Sequence, residues 1–87
     1  MAGEVTHDRE GQRFVVSRDG AEAYLDYAPL GDGRVDFRST FTPPELRGQG
    51  LAAAIVAEAL AWARGEGLEV VPSCSYVRHY LDKESAS

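Results

Sequence analysis

The chain has 87 residues and a mass of 9.4 kDa, which fits one small domain, because chains split into separate cores only well beyond this length. Its composition is 44% hydrophobic and 26% charged, enough to form a core and too apolar for a chain disordered throughout. Nine basic against fourteen acidic residues leave a net charge of −5, which argues against general attraction to nucleic acid or anionic lipid and suits a basic partner surface or a cationic substrate.

Residues 1–12 are mostly charged or small and read as a flexible N-terminal tail. They lack the apolar run of a signal peptide, and no stretch approaches the roughly 18 apolar residues of a membrane span, so a cytoplasmic protein without membrane contact is expected. The first strand is expected at Arg13-Phe14-Val15-Val16-Ser17, turned by Arg18-Asp19-Gly20 into a second over Ala21 to Ala28. After a turn at 29–33, Arg34 to Phe41 alternates with period two: Val35, Phe37, Ser39 and Phe41 on a core face, Arg34, Asp36, Arg38 and Thr40 on the other. Pro43 and Pro44 end that strand, since neither can donate to a ladder.

From Leu51 to Arg64 nearly every residue is a strong helix former, with Leu51, Ile55, Ala59 and Trp62 at helical spacing and Gly65 and Gly67 where a C-cap belongs. The many alanines permit close approach, so this helix is expected to lie across the sheet. Leu68 to Val71 reads as a fourth strand, broken at Pro72, and a short helix follows from about Tyr76 to Lys83. The order β-β-β-α-β-α implies an α+β domain over residues 13–84, with a parallel βαβ crossover inside a mostly antiparallel sheet and a C-terminal tail at 85–87.

The segment that carries chemistry is Pro43-Pro44-Glu45-Leu46-Arg47-Gly48-Gln49-Gly50-Leu51-Ala52, running from strand into helix. Gly48 and Gly50 leave backbone N–H groups unobstructed where the first helical turn has unpaired donors and a positive dipole end, an arrangement suited to phosphate. It is neither a P-loop, lacking the Lys-Ser/Thr, nor a dinucleotide fingerprint, lacking the third glycine. On spacing alone, glycines that only let helix and strand approach closely remain an equal reading.

Arg47-x-x-Gly50-x-Ala52, after a strand and opening a long helix, resembles the Arg/Gln-x-x-Gly-x-Gly/Ala signature of the GNAT superfamily of acetyl-coenzyme A-dependent N-acetyltransferases. More narrowly, Val35 through Cys74-Ser75-Tyr76 resembles the small single-domain members, with motifs over roughly half the chain. The resemblance implies a GNAT fold and acetyl-coenzyme A (acetyl-CoA) as cosubstrate. The amides of Arg47, Gly48, Gln49, Gly50, Leu51 and Ala52 would hold the pyrophosphate. Backbone near Phe41 and Thr42 would bond the pantetheine arm, where two parallel strands diverge, and Ser75 and Tyr76 would flank the coenzyme from the last helix.

Cys74 is the only cysteine, so no internal disulfide forms, and with His7 and His79 it makes no zinc set, so no metal is expected. A lone cysteine is usually a small buried apolar residue. The resemblance instead places Cys74 beside the thioester, as base, nucleophile or pocket lining. It also implies that Tyr80, one helical turn beyond Tyr76, protonates the departing thiolate, whereas both tyrosines packing the helix onto the sheet is the competing reading. His79, beside a buried position, is expected to face solvent. Small members of the superfamily often carry a His-Thr-acid run before the proline; here Ser39-Thr40-Phe41 stands there, which removes two acid–base groups. The chain thus reads as an N-acetyltransferase acting on a small-molecule or protein amine, monomeric or weakly dimeric. The alternative is a non-catalytic acyl-CoA-binding or regulatory module.

Overall fold

The computed structural model describes residues 4–86. Five strands and two helices follow in the order β1 (Thr6–Asp8), β2 (Arg13–Arg18), β3 (Ala21–Pro29), β4 (Arg34–Phe41), a 3-10 turn (Pro44–Leu46), α1 (Leu51–Gly65), β5 (Glu69–Val71) and α2 (Ser75–Ala86). They form one mixed sheet ordered β1-β2-β3-β4-β5, antiparallel throughout except for the parallel β4–β5 pair. The expected α+β arrangement with a parallel βαβ crossover is therefore present, with one strand more than the sequence pattern suggests. Among the described residues no helix is long and apolar enough to cross a membrane.

That extra strand corrects the reading of residues 1–12 as a tail. Thr6–Asp8 pairs antiparallel with β2, His7 opposite Phe14, and the His7 ring stacks on Phe14 with centroids 4.1 Å apart. A three-residue strand anchored by one histidine offers no apolar alternation for a sequence pattern to register. Met1 to Gly3 and Ser87, also expected in the tails, lie outside the described residues, whereas the α2 backbone continues through Ala86.

The core sits on one face of the sheet. Leu51, Ile55, Val56, Ala59, Leu60 and Ala63 of α1 are buried, a stripe at three- and four-residue spacing. They pack in one cluster with Val16, Leu25, Val35 and Phe37 of the strands and Val77 of α2, so both helices cover the same face. The end of α1 closes as a Schellman motif: the Leu68 amide donates to the Ala63 carbonyl and the Gly67 amide to Arg64, with Gly67 at φ +70°. This turn feeds the chain directly into β5.

The alternation along β4 does not hold to its end. Asp26 of β3 pairs with Ser39 but the next residue, Tyr27, pairs with Phe37, so Arg38 is an extra residue that makes a β-bulge. A bulge reverses which face the following residues occupy. Thr40 therefore stands opposite the fully buried Leu25 on the helix side, and Phe41 stands opposite Tyr24 on the open side, ring centroids 5.6 Å apart. The expected core positions Ser39 and Phe41 are both exposed, Phe41 by 46%. Three polar residues in sequence, Arg38-Ser39-Thr40, hide this reversal from a period-two reading.

Candidate functional site

The site is built where β4 and β5 part. Their ladder runs from Arg34–Glu69 to Asp36–Val71; Pro72 then removes a donor, and the Cys74 amide bonds the Phe37 carbonyl at 3.0 Å. From there β4 continues to Phe41 while the other chain turns into α2.

Beyond β4 the chain folds back through the 3-10 turn, whose Leu46 is buried, and Arg47 Nε donates to the Thr42 carbonyl at 3.1 Å. Gly48 and Gly50 both adopt left-handed backbone, φ +80° and +75°, which a side chain would disfavour. A Cβ built at either would meet nothing within 4 Å. Close helix–strand approach is thus not the reason for these glycines; they set the backbone conformation of a turn with open space above it. Gly50 is the N-cap of α1 and offers no side-chain cap. The first bond across the helix start is from the Ala54 amide to the Gly50 carbonyl, so the amides of Leu51, Ala52 and Ala53 precede any intrahelical partner.

A cavity of about 260 Å³ opens over this turn, lined by Thr42, Leu46, Arg47, Gly48, Gly50, Leu51, Ala52, Ala53 and Tyr76. It brings together seven of the residues expected to touch the coenzyme: Thr42, Arg47, Gly48, Gly50, Leu51, Ala52 and Tyr76. A neighbouring cavity of about 390 Å³ shares Ala53 and Tyr76 and adds His79, Tyr80 and Lys83. Of the remaining expected residues, Gln49 is exposed in the turn, Ser75 is exposed as the first residue of α2, and Phe41 lies on the open face of the sheet.

Cys74 immediately precedes α2, where the Arg78 amide donates to its carbonyl at 3.1 Å, so it is the N-cap residue of that helix. Its Sγ lies 3.5 Å from Thr40 Oγ1. Burial pushes the thiol's pKa up, but hydrogen bonds to sulfur from the Thr40 hydroxyl and the backbone of Val77, Tyr76 and Thr40 outweigh that effect, and the net shift is downward. A helix N-terminus with converging donors stabilises thiolate. Tyr76, by contrast, is held above the ordinary phenol value by burial and by the nearby Tyr80. Tyr76 and Tyr80 are half-buried and pack against the core while lining cavity walls, so the packing and functional readings of these tyrosines describe the same side chains.

Thr40, Leu46, Ala53 and Arg18 escape the sequence reading. Thr40 is hidden by the bulge. Arg18, at the end of β2, reaches Gln49 from another part of the chain.

A family model of the GCN5-related N-acetyltransferases matches residues 13–86. The chain belongs to that family. It is 32% identical over 80 residues to the chicken (Gallus gallus) protein NATD1, covering 90% of this chain and 73% of that one. To human (Homo sapiens) NATD1 it is 33% identical over 79 residues, covering 88% and 70%. Among solved structures it is similar to the solution NMR structure of a GCN5-like candidate N-acetyltransferase from Staphylococcus aureus, with a TM-score of 0.75 and 26% identity over 95% of this chain and 81% of that one. The fold is thus that of a GNAT domain, and the glycine turn, the parting strands and Cys74 belong to an acetyltransferase-like scaffold.

Proposed function

We propose that the protein binds acetyl-CoA at the Arg47–Ala52 turn and transfers its acetyl group to a primary amine. The observation that carries this reading is the turn itself: two left-handed glycines, open space above them and the unpaired first-turn amides of α1, in one cavity with Thr42 and Tyr76. These residues fit a diphosphate, which such amides bind without a side-chain cation. Acetyl-CoA would supply an activated acetyl thioester.

The chain's own residues have distinct parts in this proposal. Arg47 fixes the turn against the end of β4 through the Thr42 carbonyl, and the β4 backbone past the β5 ladder is available to an extended arm lying between the strands. Cys74, two residues from Tyr76 and bonded by Thr40, receives the proton that the attacking amine loses as its nitrogen forms a bond to the acetyl carbon and the carbon–sulfur bond breaks. Tyr80, on the wall of the second cavity, donates a proton to the departing thiolate. A binding-only reading has its own support in the side chains on the open face: Ser39 and Phe41 place neither base nor carboxylate there.

Calorimetry with acetyl-CoA, followed by acetyl transfer to a panel of polyamines, amino sugars and lysine peptides, tests both readings. Binding with turnover is expected. Binding without turnover on any amine supports the module reading, and no binding rejects the site.

A further inference from the structure

Arg18 ends β2 where the chain turns into β3, and its guanidinium reaches the glycine turn from outside the motif. One nitrogen, Nη1, donates to Gln49 Oε1, the side chain lying between the two left-handed glycines. The other side of the fork is filled by an anion from the chain itself: Nη2 donates to Glu4 Oε1, and Nε donates to Glu4 Oε2 at 3.2 Å. The topology explains the meeting. Phe41 at the end of β4 is opposite Tyr24, and β3 begins only three residues earlier, at Ala21, which pairs with Arg18. The chain leaving β4 toward α1 therefore passes over the corner of the sheet where Arg18 stands.

A carboxylate held by two donors of one guanidinium occupies the geometry that a phosphate would take. The side chains of Arg18 and Glu4 are 30% and 34% exposed, so the pair borders solvent at the rim of the turn. In a chain of net charge −5 local cations strengthen the hold of backbone amides on a polyanionic ligand, and Arg18, through Gln49, and Arg47, through Thr42, each place a guanidinium at the turn. We propose that Arg18 is a phosphate-binding residue of this site and that Glu4 holds its guanidinium in place as a competing anion, which a phosphate group of the coenzyme displaces. The inference rests on coenzyme binding at the turn and adds to it an N-terminal residue that sets the affinity.

The two residues move affinity in opposite directions, which a merely structural role does not do. By calorimetry at low salt with coenzyme A as the probe, Arg18→Gln is expected to weaken binding about tenfold, the scale of one charge-assisted pair at a partly exposed site. The deficit should shrink as salt is raised. Glu4→Gln is expected to tighten binding by about two- to fivefold, because the guanidinium no longer has to be vacated; a variant damaged in folding would not bind more tightly. The same pair of measurements with dephospho-coenzyme A assigns the phosphate: a retained Arg18 effect points to the diphosphate, a vanished one to the 3′-phosphate. If the parent binds coenzyme A and Arg18→Gln binds equally well, or Glu4→Gln weakens binding, this inference is wrong while the site stands. If the parent does not bind coenzyme A at all, the site reading fails and this inference with it.

Discussion

Thr40 Oγ1 lies 3.5 Å from Cys74 Sγ, joining the last turn of β4 to the start of α2. The contact exists because the bulge at Arg38 turns Thr40 to the helix side of the sheet, and because Cys74 is held against β4 by its amide bond to the Phe37 carbonyl. With the backbone of Val77 and Tyr76, Thr40 keeps the thiol below its ordinary pKa against the opposing effect of burial. Alkylation of Cys74 by iodoacetamide should therefore have a midpoint below the ~8.5 of a free cysteine. Thr40→Val should move that midpoint upward while leaving the sheet intact. An unchanged profile would remove Thr40 from the account of the thiolate.

What Cys74 does as a thiolate is separable by experiment. Acting as base, it forms no adduct, and Cys74→Ala slows acetyl transfer by about a hundredfold or more. As a nucleophile it would gain one acetyl group on incubation with acetyl-CoA alone, visible in the intact mass and lost in Cys74→Ala. A rate within a few-fold of the parent in Cys74→Ala would reduce it to pocket lining. The base outcome is expected here, since the groups lowering its pKa are hydrogen-bond donors rather than a neighbouring cation.

Much of this was legible in the chain. The Val35–Phe37 alternation, the alanine-rich helix and the Gly48–Gly50 spacing each report a local preference, and local preferences survive into the fold. The failures share a cause of the opposite kind. Thr6–Asp8 is held to the sheet by its pairing with β2 and by His7 meeting Phe14 and Tyr27, and Thr40 faces Cys74 because β3 and β4 pair with an extra residue between them. Arg18 meets Gln49 across the corner of the sheet. All three depend on partners distant in sequence, which periodicity and motif spacing do not encode.

Gly50→Asp tests the anion site through the backbone position rather than a side chain. A Cβ there has room, so the variant should fold, losing about 1–2 kcal/mol for non-glycine backbone at φ +75°. Its carboxylate would stand where the diphosphate is proposed to bind, and coenzyme affinity should fall by about 2 kcal/mol or more. Equal affinity in a folded variant would displace the site from this turn.

Trp62 belongs to an aromatic cluster, with ring centroids 4.8 Å from His7, 5.0 Å from Tyr27 and 5.7 Å from Phe14. Truncation to alanine should cost about 3–5 kcal/mol in urea unfolding, enough to prevent folding of so small a domain. The indole Nε1 is buried without a hydrogen-bond partner, so that atom contributes a desolvation cost and no compensating bond. Trp62→Phe should consequently retain most of the stability that Trp62→Ala loses. Equal losses in the two variants would mean that the ring stacking is not what holds this corner.

The same cluster makes stability depend on pH through His7. Burial lowers its pKa below 6.5, helped by the charge of Arg9 and opposed by that of Asp8, while its Nε2 shares a 2.6 Å hydrogen bond with the Tyr27 hydroxyl. Above pH 6.5 the imidazole is neutral in both folded and unfolded chains and contributes nothing to the pH dependence. Below it the unfolded chain takes up a proton that the folded chain resists, so unfolding free energy falls as the pH falls, by at most about 1.4 kcal/mol per pH unit from one group. The loss should stop once the pH passes the folded value. Carboxylates contribute in a lower window: Glu4, lowered to about 2 chiefly by its hydrogen bonds to Arg18, loses its stabilisation only below its unfolded value of 4.5. Urea unfolding between pH 5 and 7.5 thus isolates the histidine. The parent should lose stability across that interval, and His7→Phe, which keeps a ring against Phe14 but cannot titrate, should lose markedly less. Parallel pH curves for the two proteins would show that His7 carries no proton-linked energy.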